Sequence, residues 1–239
     1  MTLQFHVEWH ERLASTNTAL RDLAERSPDL PSGTVIAARE QTSGRGRLDR
    51  VWLSGEDENL TFSLFLKAQT DPRRLPAASM AAALAVTDLL ADEGIEAALK
   101  WPNDVLVRGK KICGILSESV SGGLVIGVGL NVNMGTADHI DQPATSMRIE
   151  SGKRYDCGRL LPTLLEKLVP HLTAWQEHGF AGIRKSWESR IPALGKPIRV
   201  RDGSHYRDGI LAGFGEDGEL LLQNSDSTIS PIWSGELGS

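Results

Sequence analysis

Three arginines, Arg45, Arg47 and Arg50, fall within six residues, and the first two alternate with Gly44 and Gly46. A guanidinium stays charged and offers a planar fork that fits phosphate or carboxylate. Glycine lets the backbone approach a ligand closely. The segment reads as an anion-binding loop, although a solvated basic turn or a nucleic-acid contact has the same spelling. Further on stands Lys100-Trp101-Pro102-Asn103-Asp104. Pro102 disfavours the helical region for Trp101, so Asn103 and Asp104 present oxygens at the end of a strand. Such oxygens suit Mg²⁺, which binds one or two carboxylates plus substrate phosphates; a plain Asn-Asp turn is the other reading. Lys111 precedes the apolar run Ile112–Leu116, which contains Gly114. It could carry a cation to a buried carboxylate or phosphate, while Lys110 reads as a surface lysine of a hairpin turn. Gly127-Val128-Gly129 leads into Asn131 and Asn133, without the spacing of a dinucleotide fingerprint.

Those side chains need a scaffold. Residues 16–26 have the spacing of a short amphipathic helix that Thr16 or Asn17 could cap. Residues 34–39 and 60–66 read as strands, with a polar Gly- and Arg-rich loop between them. The spacing predicts a long Ala/Leu helix over 73–93, two or three strands in 97–119 and an apolar strand over 123–131. A long loop is expected over 133–158. Helices follow over 159–177 and 180–190, the first with Leu160, Leu161, Leu164, Leu165, Leu168 and Leu172 at helical spacing. From Ile198 onward, short strands alternate with turn signals, the pattern of a small all-β barrel. The composition shift near Pro192 divides the chain into domains 1–191 and 192–239, the first α+β in character.

The bulk numbers narrow the function. With 239 residues, 40% hydrophobic and 24% charged, the chain can bury an ordinary core. Two cysteines suit a reducing cytosol, and the N-terminus lacks a signal-peptide pattern. A net charge of −5 argues against coating a nucleic acid. The stretch 77–91 contains Asp88 and reads as a buried helix rather than a membrane span.

Taken in order, the segments resemble the biotin–protein ligase family. The resemblance rests on Ser15-Thr16-Asn17, Gln41 before Gly44 to Arg47, Arg50 and Trp52, Lys100 to Asp104, Lys111 with Gly114 to Leu116, and Gly129 to Asn133. It covers essentially the whole chain. It implies an α+β fold: a mixed-sheet, class II synthetase-like catalytic domain with a small C-terminal SH3-like barrel. It implies biotin as substrate, ATP and Mg²⁺, a carboxyl carrier protein as acceptor, and a cytoplasmic enzyme with no DNA or membrane partner that can form a weak homodimer. Ser15, Thr16, Asn17 and Gln41 would lie against the ureido ring. Gly44, Arg45, Gly46 and Arg47 would close over biotin and the adenylate, with Gly114 beside them. Lys111 and Arg47 would be catalytic, Lys111 contacting the biotin carboxylate and the reacting phosphate. Arg47, Arg50, Trp52, Asn103 and Asn131 would serve ATP, and Asp104 its metal.

Leu48-Asp49 departs from the family's frequent glycine, and Cys113 stands where a small Gly or Ala is usual. Cys113 is expected to pack as a small hydrophobe rather than to act as a nucleophile. Only about a dozen residues precede Ser15, so no helix-turn-helix domain is expected there. A lipoate–protein ligase and a nucleic-acid-binding module are the rival readings; the acidic balance speaks against the second.

Overall fold

The computed structural model describes residues 3–47, 50–68, 74–135, 143–203 and 205–238. The chain opens with strand β1 (His6–Leu13), helix α1 (Thr16–Arg26) and strands β2 (Thr34–Arg45), β3 (Val51–Ser54) and β4 (Asn59–Lys67). Helix α2 (Leu75–Asp92) precedes β5 (Ala98–Lys100), β6 (Asp104–Val107), β7 (Lys110–Val120) and β8 (Gly123–Asn131). These strands form a mixed eight-stranded sheet in the order β1-β2-β4-β8-β7-β6-β5, with β3 paired to β2. Only β1 and β2 are parallel.

Helices α3 (Met147–Ser151), α4 (Cys157–His178) and α5 (Arg184–Glu188) follow. All six leucines singled out in α4 are buried, and each such burial contributes roughly 1.5–3 kcal/mol. They join α2 and one face of the sheet in a single core. Helix α2 has the length and composition of a membrane span, but Met80, Leu84, Leu89 and Leu90 are buried in this core. The opposite face carries α1, whose Leu20 and Ala24 pack on Ile36, Phe65 and Val125. Cys113 is buried within the first core, as expected of a small hydrophobe.

Several expectations change. Ser15, not Thr16 or Asn17, caps α1: its Oγ accepts from the Thr18 N–H at 3.4 Å. Thr16 and Asn17 are thereby released to face the sheet. The expected loop after residue 39 is a continuation of β2, and β3 folds back on it, pairing Gln41 with Ser54 and Gly44 with Trp52. Leu48 and Asp49 lie outside the described residues. Strand β1 was not foreseen because it is an edge strand exposed on both sides, so its sequence HVEWHERL shows no buried face.

The stretch 133–158, expected as a long loop, contains α3 and is tied down by Asn133. Its Nδ2 donates to the carbonyls of Asp57 and Tyr155 at 2.9 and 2.8 Å, and its Oδ1 accepts the Tyr155 N–H at 2.9 Å. Toward the C-terminus come β9 (Pro197–Asp202), β10 (His205–Phe214), β11 (Leu220–Gln223), β12 (Ile229–Ile232) and β13 (Glu236–Leu237). They form an antiparallel sheet in the order β12-β11-β10-β9-β13. The strands expected to make the small barrel thus form one five-stranded antiparallel sheet, with no pairing between β12 and β13 among the described residues. It is fastened to the rest by Trp101 Nε1, which donates to the Gly218 carbonyl at 3.1 Å, and by Arg184, which donates to the Gly215 carbonyl at 2.7 Å.

Asn133 is 4% exposed, and its removal strands three backbone groups. Each stranded group costs about 1–3 kcal/mol before water enters. Asn133→Ala is therefore expected to lower the unfolding free energy by roughly 2–4 kcal/mol in urea titrations, with the residual folded fraction keeping its ligand affinity.

Candidate active site

A cavity of about 900 Å³ opens on the α1 face of the sheet. Its floor is made by β7 and β8, where Gly114 stands opposite Gly129 and Leu116 opposite Gly127. A side chain at Gly127 would overlap Asn17 Oδ1, and one at Gly129 would overlap the Trp52 indole. The absence of side chains at these positions is what lets α1 and the β2–β3 hairpin lie on the floor.

One end of the cavity is neutral and polar. Thr16 N–H donates to Gln41 Oε1 at 2.8 Å, and the Thr16 hydroxyl lies 3.1 Å from the same oxygen. Ser63 Oγ sits between Thr16 Oγ1 and Asn17 Oδ1. It has one proton; if that goes to Asn17, which can only accept there, Thr16 must donate its own. Asn17 Nδ2 donates to the Leu116 carbonyl at 3.2 Å. Ser15 uses its oxygen in capping, which leaves its proton to donate.

The other end is charged. Lys111 Nζ lies 2.6 Å from Asp104 Oδ1. Its backbone is fixed on the far side as well: its N–H donates to the Pro143 carbonyl at 2.8 Å and its carbonyl accepts from Thr145 at 2.9 Å. The register of β6 against β7 slips between Val105 and Leu106, which pair with Cys113 and Lys111 and leave Ile112 as an extra residue. This bulge matters. Strict alternation would send Lys111 and Gly114 to opposite faces, yet both line the cavity, while Ile112 and Cys113 are both in the core. A bulge re-aims side chains in this way.

Arg47 Nη1 donates to Asn103 Oδ1 at 3.2 Å and to the Gly235 carbonyl at 3.4 Å. Burial pulls its pKa below the ordinary arginine value, Glu236 and Asp104 push it back up, and Arg50 lowers it further. Asn103 is itself oriented by donating to the Ile115 carbonyl at 2.6 Å. Arg50 pairs with Glu236 of the C-terminal sheet, whereas Arg45 turns toward the polar end, its Nη2 3.3 Å from Glu118. Burial pushes the Cys113 thiol up from its usual range, which leaves it protonated and without a nucleophile's character.

Of the residues singled out in the sequence, Ser15, Thr16, Asn17, Gln41, Arg45, Gly46, Arg47, Arg50, Trp52, Asn103, Asp104, Lys111, Gly114 and Asn131 all line this one cavity. Gly44 does not: it lies on the hairpin, where a Cβ would overlap the Trp52 carbonyl oxygen. Asn131 lines the wall with its amide already committed, accepting from Asn59 at 2.8 Å and donating to the Thr145 carbonyl at 2.9 Å. Gly127 and Gly129, singled out only as a motif with no role in the site, also line it, as do the C-terminal residues Arg201, Tyr206 and Glu236, which sequence reasoning missed. The glycines were visible as a motif; no local signal brings the C-terminal strands to the same mouth.

The pattern of the Biotin/lipoate A/B protein ligase family matches residues 9–134, more than half of the chain. A bifunctional ligase/repressor BirA of Bacillus subtilis is 33% identical over 97% of this chain and 73% of its own length. A biotin–[acetyl-CoA-carboxylase] ligase of Paracoccus denitrificans is 33% identical over 88% of this chain and 92% of its own. A biotin protein ligase of Aquifex aeolicus, solved in complex with biotin and ATP, superposes with a TM-score of 0.83 at 31% identity, covering 97% of each chain. With the matched segment spanning α1, the hairpin and the glycine floor, the chain belongs to the Biotin/lipoate A/B protein ligase family.

Proposed function

We propose that the chain is an ATP-dependent biotin–protein ligase, which makes biotinyl-5'-AMP and passes biotin to a lysine of a carboxyl carrier domain. The observation that carries this is the polarity of the cavity: a hydrogen-bonding corner of Ser15, Thr16, Asn17 and Gln41 at one end, Lys111, Arg47 and Arg50 at the other, and a glycine floor between. Asn17 touches the floor at Gly127, and Lys111 touches it at Gly114. Those points are one cross-strand step and two residues along the strand apart, about 7 Å of strand length. A ligand with a polar ring, an apolar tail and a terminal carboxylate fits that order. Ser15 and Gln41 have donors for a ureido oxygen, and Thr16 and Asn17 have acceptors for ureido N–H groups.

In the first half-reaction a carboxylate oxygen of biotin attacks the α-phosphorus of ATP and pyrophosphate leaves. In the second, the acceptor amine attacks the acyl carbon and AMP leaves. Two anions brought within about 4 Å repel by roughly 4 kcal/mol at an effective dielectric near 20. Lys111 sits where its ammonium can offset that repulsion, and Arg47 and Arg50 can hold the phosphates. Among the described residues no cluster of three or more metal-ligating side chains occurs. Asp104 with the Asn103 amide therefore suits a Mg²⁺ that arrives with ATP and keeps its phosphate and water ligands; when bound, it would neutralise phosphate charge. The same reading includes a cytoplasmic location, domains 1–191 and 192–239, a weak homodimer as the form of any self-association, and neither DNA nor membrane as a partner.

Radiolabelled biotin and lipoate, each offered with ATP and a carboxyl carrier domain, test the reading. Label from biotin alone is expected in the carrier; label from lipoate alone would replace the proposal with a lipoate ligase. Arg47→Gly is expected to leave adenylate formation partly intact while the adenylate escapes, so that bystander lysines become biotinylated. A mutant with no adenylation and no leakage contradicts that role. Lys111→Ala is expected to lower single-turnover adenylate formation by several orders of magnitude, whereas Lys110→Ala, exposed at the strand end, changes it little. Equal rates in the two variants would show that Lys111 has no part in the chemistry.

A further inference from the structure

Asn17 has no spare amide proton. Besides its bond to the Leu116 carbonyl, Nδ2 donates to Glu118 Oε2 at 2.9 Å. The other oxygen of that carboxylate lies 3.3 Å from Arg45 Nη2 and 3.9 Å from Arg21 Nη1. Glu118 thus joins three separate pieces of the chain: helix α1 through Asn17 and Arg21, strand β7 on which it stands, and the end of β2 through Arg45. Its side chain is only 20% exposed. A glutamate that merely solvates a strand would turn to water and hold one loose partner at most.

We propose that Glu118 is a positioning residue with two separable duties. As an acceptor it fixes the orientation of the Asn17 amide. The Ser63 hydroxyl can donate or accept and so cannot choose between the two amide orientations. The Leu116 carbonyl and the Glu118 carboxylate can only accept, and both demand the NH₂ group on the same side. As an anion, Glu118 draws Arg45 onto β7 and holds the arginine-bearing hairpin against the polar corner of the cavity. Without it Arg45 and Arg21 would face each other as like charges. The first duty rests on reading this cavity as the biotin site; the second concerns the protein alone.

Glu118→Gln keeps an oxygen acceptor and loses the charge, whereas Glu118→Ala loses both, which separates the duties. Trypsin cleavage after Arg45 or Arg47 in the ligand-free protein, followed by mass spectrometry, reads the second duty. It is expected to speed up several-fold in both variants, by similar factors. The biotin KM for adenylate formation reads the first. It is expected to rise roughly tenfold more in Glu118→Ala than in Glu118→Gln, with kcat moving much less, because only the alanine strands an amide proton beside the ligand. Circular dichroism checks the fold, and the near-isosteric glutamine variant keeps the hairpin test decisive if the alanine variant does not fold. Unchanged cleavage in the glutamine variant overturns the anionic duty. Equal KM values in the two variants overturn the acceptor duty. Faster hairpin cleavage in a protein that makes no biotinyl-adenylate would support the anionic duty while refuting the functional reading.

Discussion

Lys111 reaches the cavity because β7 carries one residue more than its partner strand can match. The extra residue, Ile112, resets the alternation so that Ile112 and Cys113 both enter the core and Lys111 and Gly114 both face the cavity. The same register sets Asp104 directly opposite Gly114, which brings its carboxylate within 2.6 Å of the Lys111 ammonium. Gly114 in turn faces Gly129, and the indole of Trp52 lies across the pair. One bulge therefore fixes the lysine, its counter-ion and the bare floor beside them. A bond to the Pro143 carbonyl and one from the Thr145 N–H hold the Lys111 backbone on its outer side, so the ammonium moves on a fixed base.

A second regularity concerns charge. Every arginine of the hairpin that the structure describes, like the lysine, meets an acceptor supplied by the protein: Arg45 with Glu118, Arg47 with Asn103 and the Gly235 carbonyl, Arg50 with Glu236, Lys111 with Asp104. The partly exposed pairs contribute about 0–1 kcal/mol each, so a triphosphate can outcompete them at small cost. Arg47 differs. Burial lowers its pKa, and a desolvated charge gains most from a phosphate partner. Through Gly235 and Glu236 the C-terminal sheet takes part in this arrangement rather than standing aside as an appendage.

The order of helices and strands was largely legible in the sequence, because α1, α2, α4 and β8 bury continuous stripes or runs of apolar residues. Strand β1 was not, since an exposed edge strand leaves no buried face to read. The hairpin arm reads as a loop because Gly44, Gly46 and the arginines carry no strand signal; pairing with β3 supplies what propensity does not. The candidate site residues stand in the sequence as short motifs, and the cavity gathers nearly all of them. What the motifs could not convey is the division of labour among asparagines. Asn133 is a structural tie between two backbone segments, Asn131 is saturated by Asn59 and Thr145, and Asn103 orients Arg47. Nor could they convey that Gly44 serves the hairpin rather than the cavity wall, since that depends on the Trp52 carbonyl across the strand pair.

The chemistry assigned to this cavity joins a biotin carboxylate to the α-phosphate of ATP. The most direct measurement is mass spectrometry of the products when the protein is mixed with biotin, ATP and Mg²⁺ in the absence of any acceptor. Biotinyl-5'-AMP and pyrophosphate are expected in equal amounts, about one per protein if the adenylate stays bound. Release of ADP and phosphate instead, or no biotin-dependent product at all from folded protein, would contradict the claim.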